Sequence, residues 1–143
     1  MHMHIVARGK MRMRINEKMY VDKAEKAICD LIKETKEKTR GRETIVTTSK
    51  IRNLLAMTAD IYNQIIADKD ETLSSEIAGR VEYLRVRFMY ECGREPKVRD
   101  FVEKAELIPI LKEIGDSKKN YLLFNKYMEA LVAFHRYYGG KDL

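Results

Sequence analysis

The chain has 143 residues, 35% of them charged and 45% hydrophobic, a composition that excludes a disordered or low-complexity protein and indicates a folded globular domain. No apolar run reaches the length of a membrane span and no signal peptide is recognisable, so we expect a cytoplasmic protein with no membrane partner. The net charge of +6, from 28 basic and 22 acidic residues spread along the chain, favours weak backbone contact with an anionic partner over a histone-like charge block.

The first fifteen residues are predicted to form a basic N-terminal arm. Met11, Met13 and Ile15 alternate with Arg12 and Arg14, a pattern that suits either an edge strand or a mobile, disordered arm. The remainder, residues 16–143, is predicted to be one helical-bundle domain. No convincing run of strands interrupts it, so the predicted fold class is all-α, a compact bundle of about five or six helices.

Glycine and proline divide this domain into helical blocks. The first predicted helix spans residues 16–39, the second starts after Thr48 or Ser49 as its cap, and the third spans residues 75–95 with Ser74 or Ser75 at its start. The fourth is a short piece with Pro96 in its first turn, and the fifth spans residues 107–114 and ends at Gly115. The sixth spans residues 117–138 and is capped by Asp116 or Ser117.

Apolar residues at helical intervals predict which side chains face the core. In chain order these are Val21, Ala24, Ala27, Ile28, Leu31, Ile32, Ile51, Leu54, Leu55, Thr58, Ile61, Tyr62, Ile65, Ile66, Ile77, Val81, Leu84, Phe88, Val98, Phe101, Val102 and Ala105.

The last predicted helix has an apolar arc that covers about half of its circumference. The residues that form this arc are Tyr121, Leu123, Phe124, Tyr127, Met128, Leu131, Val132, Phe134 and Tyr138. One packing face does not need such a width. Either this helix lies at the centre of the bundle, or one of its sides contacts another protein.

The helix over residues 75–95 carries a second face, which we call the Arg row. Arg80, Arg87 and Arg94 recur every seven residues, and Tyr83 and Tyr90 fall between them. At about 100° per residue these five side chains occupy an arc of about 80°, on a different side from the apolar stripe.

The chemistry of the Arg row suits a phosphate backbone. Arginine presents a rigid, always-charged fork to phosphate oxygens, and tyrosine can stack on a sugar or base or brace a guanidinium. Two other interpretations remain open. The face can be merely solvated, with Glu82 and Glu91 as partners of the arginines, or its tyrosines can pack against another helix or subunit.

Nothing in the sequence predicts an enzyme, a metal site or a cofactor. It contains no glycine-rich phosphate loop, no nucleophile elbow and no paired metal-ligand motif. Asp60 and Asp68 are two helical turns apart, too loose for a metal-dependent nuclease. Cys29 and Cys92 are far apart, so we expect reduced, packed thiols. His135 lies between helical aromatic residues and is predicted to be a packing or edge residue.

Three stretches resemble the small helical subunit of the type III-A CRISPR effector, the Csm complex. They are KIRNLLAMTADIYNQI at residues 50–65, YLRVRFMYECGREPKVRDFVEKA at residues 83–105 and NKYMEALVAFHRYYGGKD at residues 125–142. The resemblance implies a subunit that is not a nuclease. It further implies that several copies stack beside the backbone subunits along the duplex of guide RNA and target RNA, bridge the complex and serve antiviral defence. The implied partners are these RNAs, other Csm subunits and further copies of the chain.

Residues that could contact RNA in that role form three groups. The Arg row supplies one group, without base specificity, because base pairing in the guide reads the sequence. The start of the second helix supplies another, because a helix N-terminus favours phosphate. Lys118 and Lys119 form the third group. The full set of predicted RNA-binding residues is Lys50, Arg52, Asn53, Arg80, Tyr83, Arg87, Arg94, Lys118 and Lys119. The alternative function is a helical protein–protein scaffold that binds no nucleic acid.

Overall fold

The computed structural model of the chain describes residues 13–139, which form six α-helices and no strand. The helices are α1 (Tyr20–Thr39), α2 (Thr48–Ile66), α3 (Ser75–Arg94), α4 (Pro96–Lys104), α5 (Leu107–Ile114) and α6 (Lys118–Tyr137). The only pairing of strand type within the described part is an isolated antiparallel bridge between Thr72 and Ser117. The predicted all-α fold class is confirmed.

The chain enters the bundle earlier than the predicted domain boundary. Ile15 is buried in the core, and the side chain of Arg14 binds Glu113 at 2.8 Å. Residues 13–15 therefore pack on the domain, and none of them lies in a strand. The predictions made for residues 1–12 fall outside the described residues.

Helix α1 begins at Tyr20 rather than at Asn16, because a turn precedes it. The side-chain oxygen of Asn16 accepts hydrogen bonds from the backbone N–H groups of Lys18 and Met19, both at 2.9 Å. Asparagine favours such local bonds over a helical backbone. The predicted helix start was therefore wrong by one turn.

Most other helix boundaries agree with the predicted punctuation. Ser74 caps α3 and Ser117 caps α6, each by accepting a backbone N–H three residues onward. Pro96 opens α4, where its missing N–H costs nothing. Gly115 ends α5 with φ 60° and ψ −132°, a conformation that residues with a Cβ rarely adopt.

The N-terminus of α2 differs from the prediction. Its cap is Thr47, whose side chain accepts from the backbone N–H of Lys50 at 3.4 Å. Thr48 is fully buried, and its hydroxyl lies 3.0 Å from the Nδ1 atom of His135. The other ring nitrogen of His135 lies 2.6 Å from the carbonyl oxygen of Val46. The imidazole thus ties the end of α6 to the start of α2, a packing role that agrees with the sequence.

Helix α6 lies at the centre of the bundle and packs against α1, α2 and α5. The hydroxyl of Tyr121 donates to the carbonyl of Thr58 at 2.6 Å, and that of Tyr127 to the carbonyl of Ala105 at 2.9 Å. Burial of both phenols raises their pKa values, so they remain neutral donors. The wide apolar arc of this helix is explained by its central position.

Two residues predicted to face the core are exposed. Val21 lies in the first turn of α1, and Ile66 is the last residue of α2. Helix periodicity placed both on the correct side, but periodicity does not show how far along a helix its neighbours extend. The prediction of burial was wrong at both positions.

Candidate functional site

Helix α3 has a buried face towards the core and an exposed face that carries the Arg row. Its residues Val81, Leu84 and Phe88 are buried where α3 meets α2, α4 and α5. All five members of the Arg row are exposed, Tyr83 to 62% and Tyr90 to 60%. The row therefore lies off the core, as its spacing predicts, and forms a ridge about 21 Å long from the first arginine to the last.

Two arginines of the row bind carboxylates of the same helix. Arg80 lies 3.2 Å from Glu76, and Arg94 lies 3.4 Å from Glu91. The guanidinium carbon of Arg94 is also 5.8 Å from the ring centroid of Tyr90, within cation–π range. Surface pairs of this kind contribute little to stability, at most about 1 kcal/mol, so both guanidiniums can exchange partners.

The middle arginine of the row differs from the other two. Arg87 is exposed and has no ion pair or hydrogen bond to the described residues through its side chain. Glu82, one of the expected carboxylate partners, instead binds Arg85 at 2.8 Å. Among residues 13–139, the row thus has carboxylate partners for the arginines at its two ends and none for the arginine at its centre.

The N-terminus of α2 meets the C-terminal end of the row. A cleft of about 240 Å³ lies between them, lined by Ser49, Lys50, Asn53, Leu54, Glu91, Arg94, Glu95 and Val98. Inside it the ammonium of Lys50 binds the carboxylate of Glu95. This hydrogen bond lowers the pKa of Glu95, so the carboxyl stays charged near neutral pH.

The predicted site residues therefore fall into separate places. The structure brings Lys50, Asn53 and Arg94 together, whereas Arg52 is exposed on α2 and does not line the cleft. Lys118 and Lys119 lie at the other end of α3. There the carbonyl of Asp116 accepts a hydrogen bond from the backbone N–H of Leu73, the residue before the cap of α3. The ammonium of Lys118 donates to the carbonyl of Asp68.

The cleft beside these lysines is larger than the cleft at the start of α2, and its lining carries charges of both signs. It measures about 420 Å³ and is lined by Glu17, Tyr62, Glu71, Lys118, Lys119, Leu122, Asn125, Lys126 and Glu129. Three lysines and three glutamates share this lining, so it lacks the cationic excess of the Arg row. The prediction that Lys118 and Lys119 contact RNA stays a prediction.

The described residues contain no arrangement suited to catalysis with a metal. No group of three or more His, Cys, Asp or Glu side chains among residues 13–139 could hold an ion. Partial burial raises the pKa of the Cys92 thiol, which disfavours the reactive thiolate. In the same part of the chain, no helix has the length and apolarity needed to cross a membrane.

Sequence reasoning missed a set of exposed residues beside the Arg row. Val86 and Met89 are 55% and 52% exposed, although both are large apolar side chains on a well-formed helix. The signal for Val86 was present in its spacing with Gly79 and Gly93, because these three residues also recur every seven positions. The same reasoning missed Glu95 as the partner of Lys50, because a contact between elements leaves no periodic pattern.

Comparison with known proteins identifies the family of the chain. The family described as Csm2 type III-A matches residues 24–141. The CRISPR system Cms protein Csm2 of Streptococcus thermophilus is 42% identical over 128 residues, which cover 90% of this chain and 98% of that protein.

Two further proteins with the same name show similar agreement. That of Mycobacterium tuberculosis (strain CDC 1551 / Oshkosh) is 38% identical over 130 residues, 91% of this chain and 99% of its own length. That of Enterococcus italicus is 42% identical over 106 residues, 69% of this chain and 76% of its own length. The chain therefore belongs to the Csm2 family, the small helical subunits of type III-A CRISPR systems.

Proposed function

We propose that the chain is a non-catalytic, cytoplasmic subunit of a type III-A CRISPR interference complex, without a cofactor. In this role it contacts the guide RNA–target RNA region through phosphates and sugars and bridges subunits during antiviral defence. Further copies of the chain lie along the same RNA. The observation that carries the proposal is the Arg row, an exposed ridge of arginines and tyrosines on a family member that carries no metal-binding cluster in its described part.

The geometry of the row suits a strand rather than a single phosphate. Its arginines are spaced about 10 Å apart along the helix, so together they reach several phosphates of one strand. Guanidinium–phosphate contacts carry no sequence information, which is what a subunit needs when base pairing reads the target. The central Arg87, with no carboxylate partner among the described residues, is the strongest single candidate.

The cleft at the start of α2 extends this surface. Lys50 and Asn53 lie beside Arg94, and the helix N-terminus adds partial positive charge at the same place. A phosphate can bind there only if Lys50 releases Glu95 and binds the phosphate instead. Arg52, Lys118 and Lys119 remain secondary candidates, since the structure does not bring them to the row.

The competing function is a protein-only scaffold whose basic faces are merely solvated. The exposed apolar side chains beside the Arg row support protein contact. Arginine is also frequent in protein interfaces, so the spacing of the three arginines does not by itself separate the two functions. The two functions differ in one measurable property, the dependence of RNA binding on salt.

The test compares two triple variants in the assembled complex. Changing Arg80, Arg87 and Arg94 to Ala should weaken target-RNA binding and reduce the slope of log affinity against log salt by up to about three phosphate contacts. The matched control changes Lys26, Lys33 and Lys36, which are exposed on α1. Both variants lower the net charge from +6 to +3, so the control measures the effect of charge alone.

The proposal predicts that the control keeps most of the affinity and of the salt slope. Equal losses in the two variants would show a general charge effect. Unchanged binding in the arginine variant would assign the row to solvent or to protein, in favour of the scaffold. Circular dichroism should show the same helix content in both variants, because none of the six residues is buried.

A further inference from the structure

We propose that the side of α3 opposite the core docks a helix of another protein subunit of the complex. This inference rests on the proposed function and identifies the surface that bridges subunits. We call this surface the outer face; it consists of Gly79, Tyr83, Val86, Met89, Tyr90 and Gly93. It adjoins the Arg row, shares its two tyrosines, and continues around the helix on the side away from the arginines.

Exposure is the first argument. Tyr83, Val86, Met89 and Tyr90 all have more than half of their accessible surface exposed, and they follow one another along one side of α3. Single exposed apolar residues need no explanation, but four on one face of one helix form a patch, which is interrupted beside Met89 only by Glu82, the partner of Arg85. Apolar residues thus occupy two sides of α3, and the fold covers only one.

The spacing of the outer face is the second argument. Gly79, Tyr83, Val86, Tyr90 and Gly93 follow a 4-3-4-3 pattern, which is the seam of a helix that packs against another helix. Two positions of this seam are glycine, so the backbone is open beside the large tyrosines. A seam of this kind accepts the side chains of a facing helix between its own.

The glycines themselves are the third argument. A Cβ added to Gly79 or Gly93 would meet nothing within 4 Å, and neither residue has a positive φ. Glycine within a helix destabilises it, so neither the backbone nor the surrounding fold explains these two residues. Close approach of an external backbone does explain them.

The composition of the outer face favours protein over RNA as its occupant. Protein interfaces are enriched in tyrosine and methionine, which supply three of the four large side chains of this face. Val86 and Met89 offer a nucleic acid neither charge nor a ring, whereas an apolar helix buries both. The phosphate-binding groups lie to one side, in the Arg row.

The charges beside the outer face select the partner. Antiparallel pairing of two copies through this face would set one Arg row against the other. Parallel pairing would offer the arginines only Glu82, which already binds Arg85. The occupant is therefore a helix of a different subunit. This helix places small apolar side chains opposite the tyrosines and carboxylates towards Arg87. The guanidinium of Arg87 has five N–H donors, so it can bind a carboxylate on one side and a phosphate on the other.

Cross-linking from position 86 tests the occupant directly. A photo-reactive benzophenone amino acid replaces Val86 in the chain, which is co-expressed with the other subunits and the guide RNA of its complex. The same substitution at Ile66, exposed at the end of α2, is the control. We expect illumination to give a ribonuclease-resistant adduct with another subunit from position 86 and not from position 66.

Three results would overturn the proposal. An adduct that ribonuclease removes would assign the outer face to RNA. An adduct of two copies of this chain would assign it to self-association. The absence of any adduct at position 86 would leave the face exposed in the complex.

Substitutions test whether the contact matters for assembly. Val86→Asp should reduce co-purification with the complex at least about tenfold, whereas Ile66→Asp should not. Gly79→Ala combined with Gly93→Ala should reduce it as well, since each adds a methyl group where the partner approaches. Isolated Val86→Asp protein should keep the helix content and Tm of the wild type, since no buried group changes. Wild-type co-purification of Val86→Asp would contradict the inference.

The outcome is separable from that of the proposed function. If the Arg80, Arg87 and Arg94 variant weakens RNA binding but position 86 gives no adduct, only the docking proposal fails. If position 86 cross-links to a subunit while the arginine variant binds RNA normally, the RNA role fails and the docking surface stands.

Discussion

Helices α3 and α6 have the same length, 20 residues, and both carry apolar residues around much of their circumference. In α6 that apolar surface is used within the fold, because eight of its residues are buried. In α3 only Val81, Leu84 and Phe88 are buried, and the apolar residues on the far side remain exposed.

The difference shows what an apolar arc can predict. The width of the arc does not show whether the fold or a partner covers its residues. The two glycines distinguish the helices, since α6 contains none and α3 contains two. Neither a positive φ nor a steric contact within the monomer requires the two glycines of α3, as the proposed docking contact predicts.

The largest expected effect comes from truncation of α6. Leu131→Ala removes a fully buried side chain at the centre of the bundle and should lower the free energy of unfolding by about 2–5 kcal/mol. Val86→Ala removes an exposed side chain of α3 and should change it by less than about 0.5 kcal/mol. Urea denaturation of both variants measures the contrast. Similar losses at the two positions would mean that the outer face of α3 is covered within the monomer.

A smaller effect is expected where α6 joins the start of α2. His135→Ala leaves the buried hydroxyl of Thr48 and the carbonyl of Val46 without their imidazole partner. We expect a loss of about 2–3 kcal/mol in the free energy of unfolding, since each buried group loses a hydrogen bond. Tyr137→Ala, exposed in the same turn of α6, should have little effect in the same denaturation experiment. Equal stability of the two variants would remove the structural role assigned to His135.

The smallest effect has the opposite sign. Gly79→Ala and Gly93→Ala should each stabilise the isolated protein by about 0.5–1 kcal/mol, because alanine favours the helix and its methyl group meets no neighbour. Gly115→Ala is the control and should destabilise, since φ is positive there. Thermal melting checks the sign. A lower Tm for the α3 variants would mean that these glycines serve the monomer after all.

Much of the fold could be predicted from the sequence, because it depends on local signals. The caps Ser74 and Ser117, the proline that opens α4 and the glycine that ends α5 act within a few residues of where they stand. The predicted helix caps were wrong where tertiary contacts determine which of two adjacent residues forms the cap. Thr48 was a plausible cap by residue type, but the fold buries its hydroxyl against a histidine 87 residues away and leaves the cap to Thr47.

The candidate site was predictable only along one helix. The seven-residue spacing placed Arg80, Arg87 and Arg94 on one exposed ridge, as the structure confirms. That Lys50 would lie beside Arg94 and bind Glu95 could not be read from any spacing, since it depends on how α2 crosses the end of α3. Contact of these residues with RNA takes place in the assembled complex, so it follows neither from the residue spacing nor from the fold of one chain.

The carboxylates beside the arginines have a consequence for selectivity. Glu76, Glu91 and Glu95 each hold a cation of the surface at hydrogen-bond distance, on the same chain and therefore at a high effective concentration. They act as internal competitors of any anion that approaches. A short or isolated anion must displace them one at a time for little gain, whereas a long polyanion aligned along the ridge displaces them together. In the proposed RNA-binding role, we therefore expect this surface to favour long polyanions over short ones, despite the net charge of +6.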